Sequence, residues 1–273
     1  MESYTHLADH VSVRVPSTGA RRSRRPETPD GRSVERARSI ETVREIDVVA
    51  EPLIEVVPRE RSDRLNRAVN LALGCVALAV LAPFFVLVAI AIKLTSRGPI
   101  FYTQTRVGID RRGRRELAIR ERRLQDLGGA AFTIYKFRSM YVNAEGKSGA
   151  VWATVNDPRV TPLGRFMRKF RIDEWPQLIN VVRGDMNIVG PRPERPSIVA
   201  RLREDIREYP MRQRVKPGIT GLAQINLSYD SCLEDVRAKV RYDLEYLRRQ
   251  SMLEDLKIMA KTVPTMVLKI RGW

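Results

Sequence analysis

Histidine and cysteine are almost absent from this 273-residue chain, which contains two of each. Both histidines, His6 and His10, lie within the first ten residues, and no CxxC or HExxH pattern occurs. Two cysteines do not make a disulfide framework, and the missing patterns argue against a structural zinc site. If the chain is an enzyme, its nucleophile and its proton donors are expected among Asp, Glu, Lys and Arg.

Acidic residues are also in the minority, with 32 against 49 Lys and Arg, which gives a formal net charge of +17. Residues 1–63 contain 11 arginines and 12 acidic residues, so the excess belongs to residues 64–273, with 38 basic and 20 acidic residues. Such a balance predicts an acidic partner without choosing one.

Residues 1–63 lack any sustained apolar periodicity, and their five prolines lie among Ser, Thr, Glu and Arg. This composition predicts a disordered N-terminal tail. Arg21 and Arg22 resemble the start of a twin-arginine export signal, but polar residues follow where such a signal needs an apolar stretch. We therefore expect no cleavable signal in the tail.

Residues 70–92 form an uncharged run of 23 residues that would measure about 35 Å as one helix, enough to span a bilayer. A core helix of this length would normally show a polar stripe, so the run predicts membrane insertion. Basic residues flank both ends, and Pro83 near the midpoint predicts a kink or break. We therefore predict that residues 64–95 form a re-entrant hairpin with both ends in the cytoplasm; a kinked spanning helix is the alternative.

Residues 96–273 are predicted to form a cytoplasmic domain. Residues 98–108 and 131–140 are rich in β-branched and aromatic side chains, which indicates strands or extended segments. The Arg-dense stretch 110–126 between them favours contact with lipid headgroups. Nucleic acid is not the expected partner, because no aromatic residues alternate with the arginines.

The C-terminal stretch, residues 232–270, has apolar residues at helical spacing with basic residues beside them. This pattern predicts a helix, which packs against the domain or lies at the membrane interface. Asp243 within it is predicted to form a salt bridge inside the domain.

The acid pair Asp173 and Glu174 marks the most informative stretch. Asp173 is a suitable N-cap and Pro176 suits a first helical turn, which predicts that a helix begins at the acid pair. Four basic residues precede it: Arg165, Arg168, Lys169 and Arg171. A helix N-terminus beside such cations suits a phosphate. The alternative is that Asp173 only caps a helix and Glu174 only pairs with an arginine.

Two further motifs point to anion binding. GPRP at 190–193 fixes Arg192 between two prolines, which prepares its guanidinium for phosphate. KPGITG at 216–221 is a turn whose backbone donors suit an anion, a pattern with little specificity by itself. No Walker A or GxGxxG pattern occurs, so P-loop and Rossmann nucleotide binding are not expected.

Five motifs occur in a characteristic order: KFRSM at 136–140, DEWPQLIN at 173–180, GDM at 184–186, GPRP at 190–193 and KPGITGLAQ at 216–224. In these motifs the chain resembles the bacterial sugar transferases that are monotopic polyprenyl-phosphate phosphoglycosyl transferases. The resemblance covers residues 64–271. It implies an α/β fold, mostly α, in which a re-entrant membrane helix hairpin precedes a small cytoplasmic α/β catalytic domain with interfacial amphipathic helices.

The reaction implied by this resemblance transfers a sugar 1-phosphate from a UDP-sugar to a polyprenyl phosphate, typically undecaprenyl phosphate, and releases UMP. It would occur at the cytoplasmic face of the bacterial inner membrane and initiate assembly of an exopolysaccharide, an O-antigen or another glycoconjugate. The implied partners are the UDP-sugar, the lipid phosphate and the membrane. A homodimer or downstream glycosyltransferases are further candidates.

The resemblance also implies residue roles. Asp173 would attack the β-phosphorus and form a phosphosugar-aspartyl intermediate. Asp173 and Glu174 would hold Mg²⁺, and Pro83 would break the membrane helix. The residues expected to bind phosphate oxygens are Arg168, Arg192, Lys136 and Arg138.

Three positions depart from the family pattern. Ala82 stands before Pro83 where a serine is common, the stretch 110–126 is longer than usual, and Leu227-Ser228 replaces a usual Gly-Arg. Two other interpretations stay open: a non-enzymatic, membrane-tethered basic protein that binds anionic lipid or nucleic acid, and a scaffold with this fold that has lost activity.

Overall fold

The computed structural model describes residues 55–110, 127–144, 157–227 and 232–268. The predictions for residues 1–54, for 111–126 and for Ser228 lie outside this part. The helices, in chain order, are α1 (Asp63–Thr95), α2 (Pro162–Lys169), α3 (Gln177–Arg183), α4 (Pro196–Asp205), α5 (Leu222–Asn226), α6 (Leu233–Arg249) and α7 (Met252–Leu268). The strands are β1 (Phe101–Val107), β2 (Ala131–Phe137), β3 (Asn187–Val189) and β4 (Gly218–Thr220). This content agrees with the predicted α/β, mostly helical class.

Helix α1 contains the apolar run and is long and apolar enough to cross a membrane. Ser62 caps its start by accepting a hydrogen bond from the backbone N–H of Leu65, and Lys93 lies in its last turn, where a cation is favourable. Only 6% of the most apolar 18-residue stretch of this helix is buried. The helix continues through Pro83, so the two halves predicted from the sequence belong to one element.

Two small sheets follow. The β-branched and aromatic stretches form strands, as predicted, and β1 and β2 pair antiparallel with Phe101 opposite Phe137 and Val107 opposite Ala131. Strands β3 and β4 pair in parallel, with Asn187 opposite Gly218. The second sheet brings the segments that follow β3 and precede β4 side by side.

The C-terminal stretch contains two helices rather than the one predicted, because the chain turns at Gln250 and Ser251 between α6 and α7. Leu247 and Ile258, one from each helix, are buried with Val189 in a core cluster. The outer side of α7 keeps apolar side chains exposed, among them Leu253 at 65%. One face therefore packs against the domain, and contact of the exposed face with the membrane interface stays a prediction.

Residues 55–62 pack against the domain, so the predicted disorder up to residue 63 is wrong for this segment. Val56 is 2% exposed in the same core cluster, and the backbone N–H of Arg59 donates to the carbonyl of Leu247. Arg61 forms an ion pair with Asp255 on α7. These contacts attach the chain just before α1 to the last two helices.

Candidate active site

The acid pair lies in a single 3₁₀ turn, Ile172–Glu174, between α2 and α3. Arg171 before it has a left-handed backbone, φ 53°, which turns the chain sharply after α2. The predicted helix therefore begins later than expected, at Gln177, and Asp173 is not its N-cap. Both carboxylates are buried, with Asp173 7% and Glu174 6% exposed.

The Glu174 carboxylate is surrounded by cations from three parts of the chain. Lys136 Nζ on β2 lies 2.8 Å from Oε1, and Arg192 Nη2 lies 2.5 Å from the same oxygen. Oε2 has longer contacts, 3.3 Å to Arg192 Nη1 and 3.4 Å to Arg171 Nη1. Burial alone would raise the pKa of Glu174, but Arg192, Lys136 and Arg171 outweigh it and hold that pKa well below its usual value.

Asp173 has a different environment. Within the described residues, no side chain or backbone group donates a hydrogen bond to its carboxylate. Burial and the neighbouring charge of Glu174 raise the pKa of Asp173, while Lys136, Arg168 and Arg192 partly oppose that rise. The Asp173 carboxylate is thus buried without a hydrogen-bond donor from the described residues, near the positive charges of Lys136, Arg168 and Arg192.

Of the other predicted phosphate ligands, Lys136 and Arg192 meet at Glu174. Burial lowers the pKa of Lys136, an effect that Glu174 partly offsets. Arg168 on α2 donates through Nε to Ser139 Oγ at 3.1 Å and acts on Asp173 through its charge. The structure therefore brings these cations to the acid pair, as the resemblance implies.

Arg138 is directed elsewhere. Its Nη2 donates to the carbonyl of Ser96, and its Nη1 donates to that of Arg97, directly after α1. Gly98 has φ 127°, and a Cβ there would collide with Arg138 Nη1. Arg138 thus fixes the exit of α1 instead of contacting the acid pair.

Arg212, which no sequence motif indicates, supports Arg192. Arg212 Nη2 donates to the Arg192 carbonyl at 3.0 Å, and Nη1 donates to Tyr209 Oη at 2.9 Å. Asp243 on α6 lies behind it, with Oδ2 2.7 Å from Arg212 Nη2, so the salt bridge predicted for Asp243 is found. Nothing in the local sequence YPMRQR distinguishes Arg212 from other arginines.

The GPRP and KPGITG motifs lie together because β3 and β4 pair. Gly190 N–H donates to the Thr220 carbonyl at 2.9 Å, and Gly218 N–H donates to the Pro191 carbonyl at 3.0 Å. A Cβ on Gly218 would collide with the backbone of Gly190, so the close approach requires glycine there. This contact helps to fix the loop that carries Arg192.

The acid pair suits Mg²⁺ only in combination with substrate oxygens. The described part of the chain contains no cluster of three or more His, Cys, Asp or Glu side chains able to hold a metal. Mg²⁺, however, commonly takes one or two carboxylates and fills its other positions with water and phosphate oxygens. The open Asp173 carboxylate and the more weakly held Oε2 of Glu174 satisfy that requirement.

A family profile described as bacterial sugar transferase matches residues 61–269. The chain is 42% identical to an undecaprenyl-phosphate glucose phosphotransferase of Komagataeibacter xylinus, over 72% of this chain and 35% of that protein. It is 40% identical to a UDP-glucose:undecaprenyl-phosphate glucose-1-phosphate transferase of Escherichia coli K12, over 73% and 39% respectively.

An exopolysaccharide production protein of Rhizobium leguminosarum is 35% identical over 77% of this chain and 98% of its own length. The first two relatives are longer, and the chain spans less than half of each. The match nevertheless includes α1, the acid pair and the GPRP and KPGITG motifs. The chain belongs to the bacterial sugar transferase family.

Proposed function

We propose that this protein transfers a sugar 1-phosphate from a UDP-sugar to a polyprenyl phosphate, such as undecaprenyl phosphate, and releases UMP. The observation that carries the proposal is the buried Asp173 carboxylate, to which no described group donates a hydrogen bond, beside a Glu174 that binds three cations. The names of the relatives, which act on undecaprenyl phosphate and UDP-glucose, support the same substrate classes.

In the first half of the reaction, an Asp173 oxygen attacks the β-phosphorus of the UDP-sugar. The bond from that phosphorus to the bridging oxygen breaks, and the electron pair leaves with UMP. Lys136 and Arg192 hold the phosphate oxygens, for which they exchange part of their contact with Glu174. The product on the enzyme is a sugar phosphate bound to the Asp173 carboxylate.

In the second half, an oxygen of the polyprenyl phosphate attacks the same phosphorus, and the Asp173 carboxylate leaves. No strong general base is required, because the incoming phosphate is already ionised. Arg168 and Arg192 stabilise the charge on the phosphorus centre. The chemistry that Mg²⁺ supplies when bound is neutralisation of the diphosphate and of the departing UMP, and Asp173 and Glu174 are the residues that would hold it.

The proposed location is the cytoplasmic face of the bacterial inner membrane, with α1 re-entrant. Both flanks of α1 bind the same domain: Arg61 pairs with Asp255 before the helix, and Arg138 binds the carbonyls of Ser96 and Arg97 after it. A helix that crossed the bilayer would put these flanks on opposite faces, about 30 Å apart. The shared attachment and Pro83 favour a bend within α1 that returns the chain to the starting face.

The test of the reaction is UMP release from UDP-sugars in membrane fractions supplied with undecaprenyl phosphate. D173N should reduce release to background, because an amide is not a nucleophile towards phosphorus. D205N, which changes an exposed aspartate at the end of α4, serves as the control and should match the unmodified protein. Undiminished release by D173N would refute the role of Asp173, and a panel of UDP-sugars in the same assay would identify the donor.

A further inference from the structure

One face of α1 contacts α3, the helix that follows the turn of the acid pair. The face consists of Arg67, Asn70 and Gly74, which follow one another at helical spacing, and we refer to it as the docking face. Asn70 and Gly74 are buried, whereas most of the apolar side chains farther along α1 are exposed. The docking face meets the end of α3 and the start of β3.

Arg67 binds the C-terminal end of α3. Its Nη1 donates to the Val181 carbonyl at 2.6 Å, and its Nη2 donates to the Val182 carbonyl at 2.5 Å. Carbonyls in the last turn lack helical partners and lie at the negative end of the helix dipole, so a guanidinium satisfies them well. Gly184 ends α3 with φ 89°, and a Cβ there would lie 3.2 Å from Arg67 Cζ. The glycine of the GDM motif thus leaves room for Arg67.

Asn70 and Gly74 continue this contact into the apolar run. Asn70 is 6% exposed; its Oδ1 accepts from the Ile188 N–H at 2.8 Å, and its Nδ2 donates to the Asn66 carbonyl at 2.8 Å. A buried amide in an apolar helix is costly unless it is bonded in this way. A Cβ on Gly74 would lie 3.2 Å from Val182, so a small residue permits the close approach of the two helices.

The other end of α3 leads directly to the acid pair. Its first residue, Gln177, is three positions after Glu174, and the N–H of Leu178 donates to the Trp175 carbonyl. The whole helix has seven residues and measures about 10 Å. Because the helix is so short, a contact that fixes one of its ends also fixes the distance between α1 and Asp173.

We propose that the docking face sets the height of Asp173 relative to the bilayer, so that a phosphate anchored in the membrane reaches it. This inference rests on the proposed function, because it assigns Arg67 and Asn70 a part in the use of the lipid acceptor. Both are positioning residues that act through α3. A change at the docking face should impair the use of an acceptor held in the membrane far more than the use of a soluble acceptor.

The experiment compares two acceptors with the full-length protein in liposomes: undecaprenyl phosphate embedded in the bilayer, and a short-chain, water-soluble prenyl phosphate. R67M and N70A are expected to lose at least about tenfold in kcat/KM for the embedded acceptor, because small misplacements of reacting groups are expensive. Their kcat/KM for the soluble acceptor should stay within about twofold of the unmodified protein, since α3 and the acid pair remain folded.

R64M is the matched control, because Arg64 lies on the same turn of α1, is exposed, and loses the same charge. It should leave both activities unchanged. Equal losses with both acceptors, or no loss with either, would refute the positioning role. Absence of turnover by the unmodified protein with either acceptor would instead refute the proposed function. The thermal midpoint of each variant is measured in parallel, and N70A provides a second test if R67M fails to fold.

Discussion

Asp173 and Glu174 are adjacent, yet their surroundings separate their roles. Glu174 holds Lys136, Arg192 and Arg171 and stays ionised, since its pKa is well below the usual value. Asp173 has a raised pKa and an open carboxylate. Neighbouring groups whose pKa values are pushed apart commonly divide the work of a site. Here the Glu174 carboxylate binds the cations, whereas the Asp173 carboxylate has no hydrogen-bond donor among the described residues and is the proposed nucleophile.

This asymmetry predicts the direction of two pH shifts. Attack requires ionised Asp173, so turnover should fall as the pH drops through its raised pKa, above the ordinary aspartate value of 3.8. In E174Q the charge that raises this pKa is removed, and the acid limb of the residual UMP release should move to lower pH. In K136M a charge that lowers it is removed, and the limb should move to higher pH.

The measurement is the pH dependence of kcat/KM for the UDP-sugar, which reports groups of the free enzyme. K169M is the control, because Lys169 is an exposed lysine on α2. Its acid limb should coincide with that of the unmodified protein. Shifts of E174Q and K136M in the same direction would contradict the assignment of the limb to Asp173.

Lys136 and Arg138 belong to one motif but bind different parts of the structure, which the motif alone did not predict. Both belong to KFRSM, and the resemblance implied phosphate binding for each. The strand ends at Phe137, however, so its alternation does not extend to Arg138. Lys136 reaches Glu174, 38 positions away, while Arg138 binds the backbone after α1. Such long-range partners depend on the tertiary fold, which local sequence does not encode.

At the scale of elements, composition predicted whether a segment forms a helix or a strand better than it predicted the residues at which that element begins and ends. The aromatic and β-branched stretches became β1 and β2, and the apolar run became α1. The start of α3 was misplaced, because the left-handed Arg171 and a 3₁₀ turn separate it from α2. The turn at Gln250 and Ser251 contains neither Gly nor Pro, so no usual breaker marked the end of α6.

The ion pair between Arg212 and Asp243 joins α6 to the 3₁₀ segment Tyr209–Arg214 and supports the loop of Arg192. Its side chains are 5% and 2% exposed. D243N should lower the free energy of unfolding by about 3–5 kcal/mol, because it leaves a buried guanidinium without its counter-charge. The check is denaturant or thermal unfolding of the protein in detergent micelles.

An exposed pair on the same helix provides the comparison. Arg249 and Glu245 lie 2.8 Å apart, but their side chains are 63% and 38% exposed. E245Q should change the free energy of unfolding by at most about 0.5 kcal/mol, as exposed pairs of this spacing usually do. Similar losses for D243N and E245Q would show that burial does not set the value of the Arg212 pair.

Across the whole molecule, the positive charge serves several purposes that composition alone did not separate. Arg67 and Arg138 bind backbone carbonyls at α3 and after α1, and Arg212 pairs with a buried acid. Arg192 and Lys136 form ion pairs at the acid pair, where we propose that they bind a phosphate. The excess of basic residues is therefore partly structural, and only a few basic residues around Asp173 belong to the proposed phosphate site.

The two attachments of α1 lead to a prediction about topology. Because the chain before Asp63 and the chain after Thr95 bind one domain, both ends of the protein should lie on the same membrane face. Tags placed before Met1 and after Trp273 should both be inaccessible to a membrane-impermeant reagent in intact spheroplasts, and both should react after permeabilisation. Labelling of only one tag in intact spheroplasts would establish a spanning helix and contradict the re-entrant hairpin.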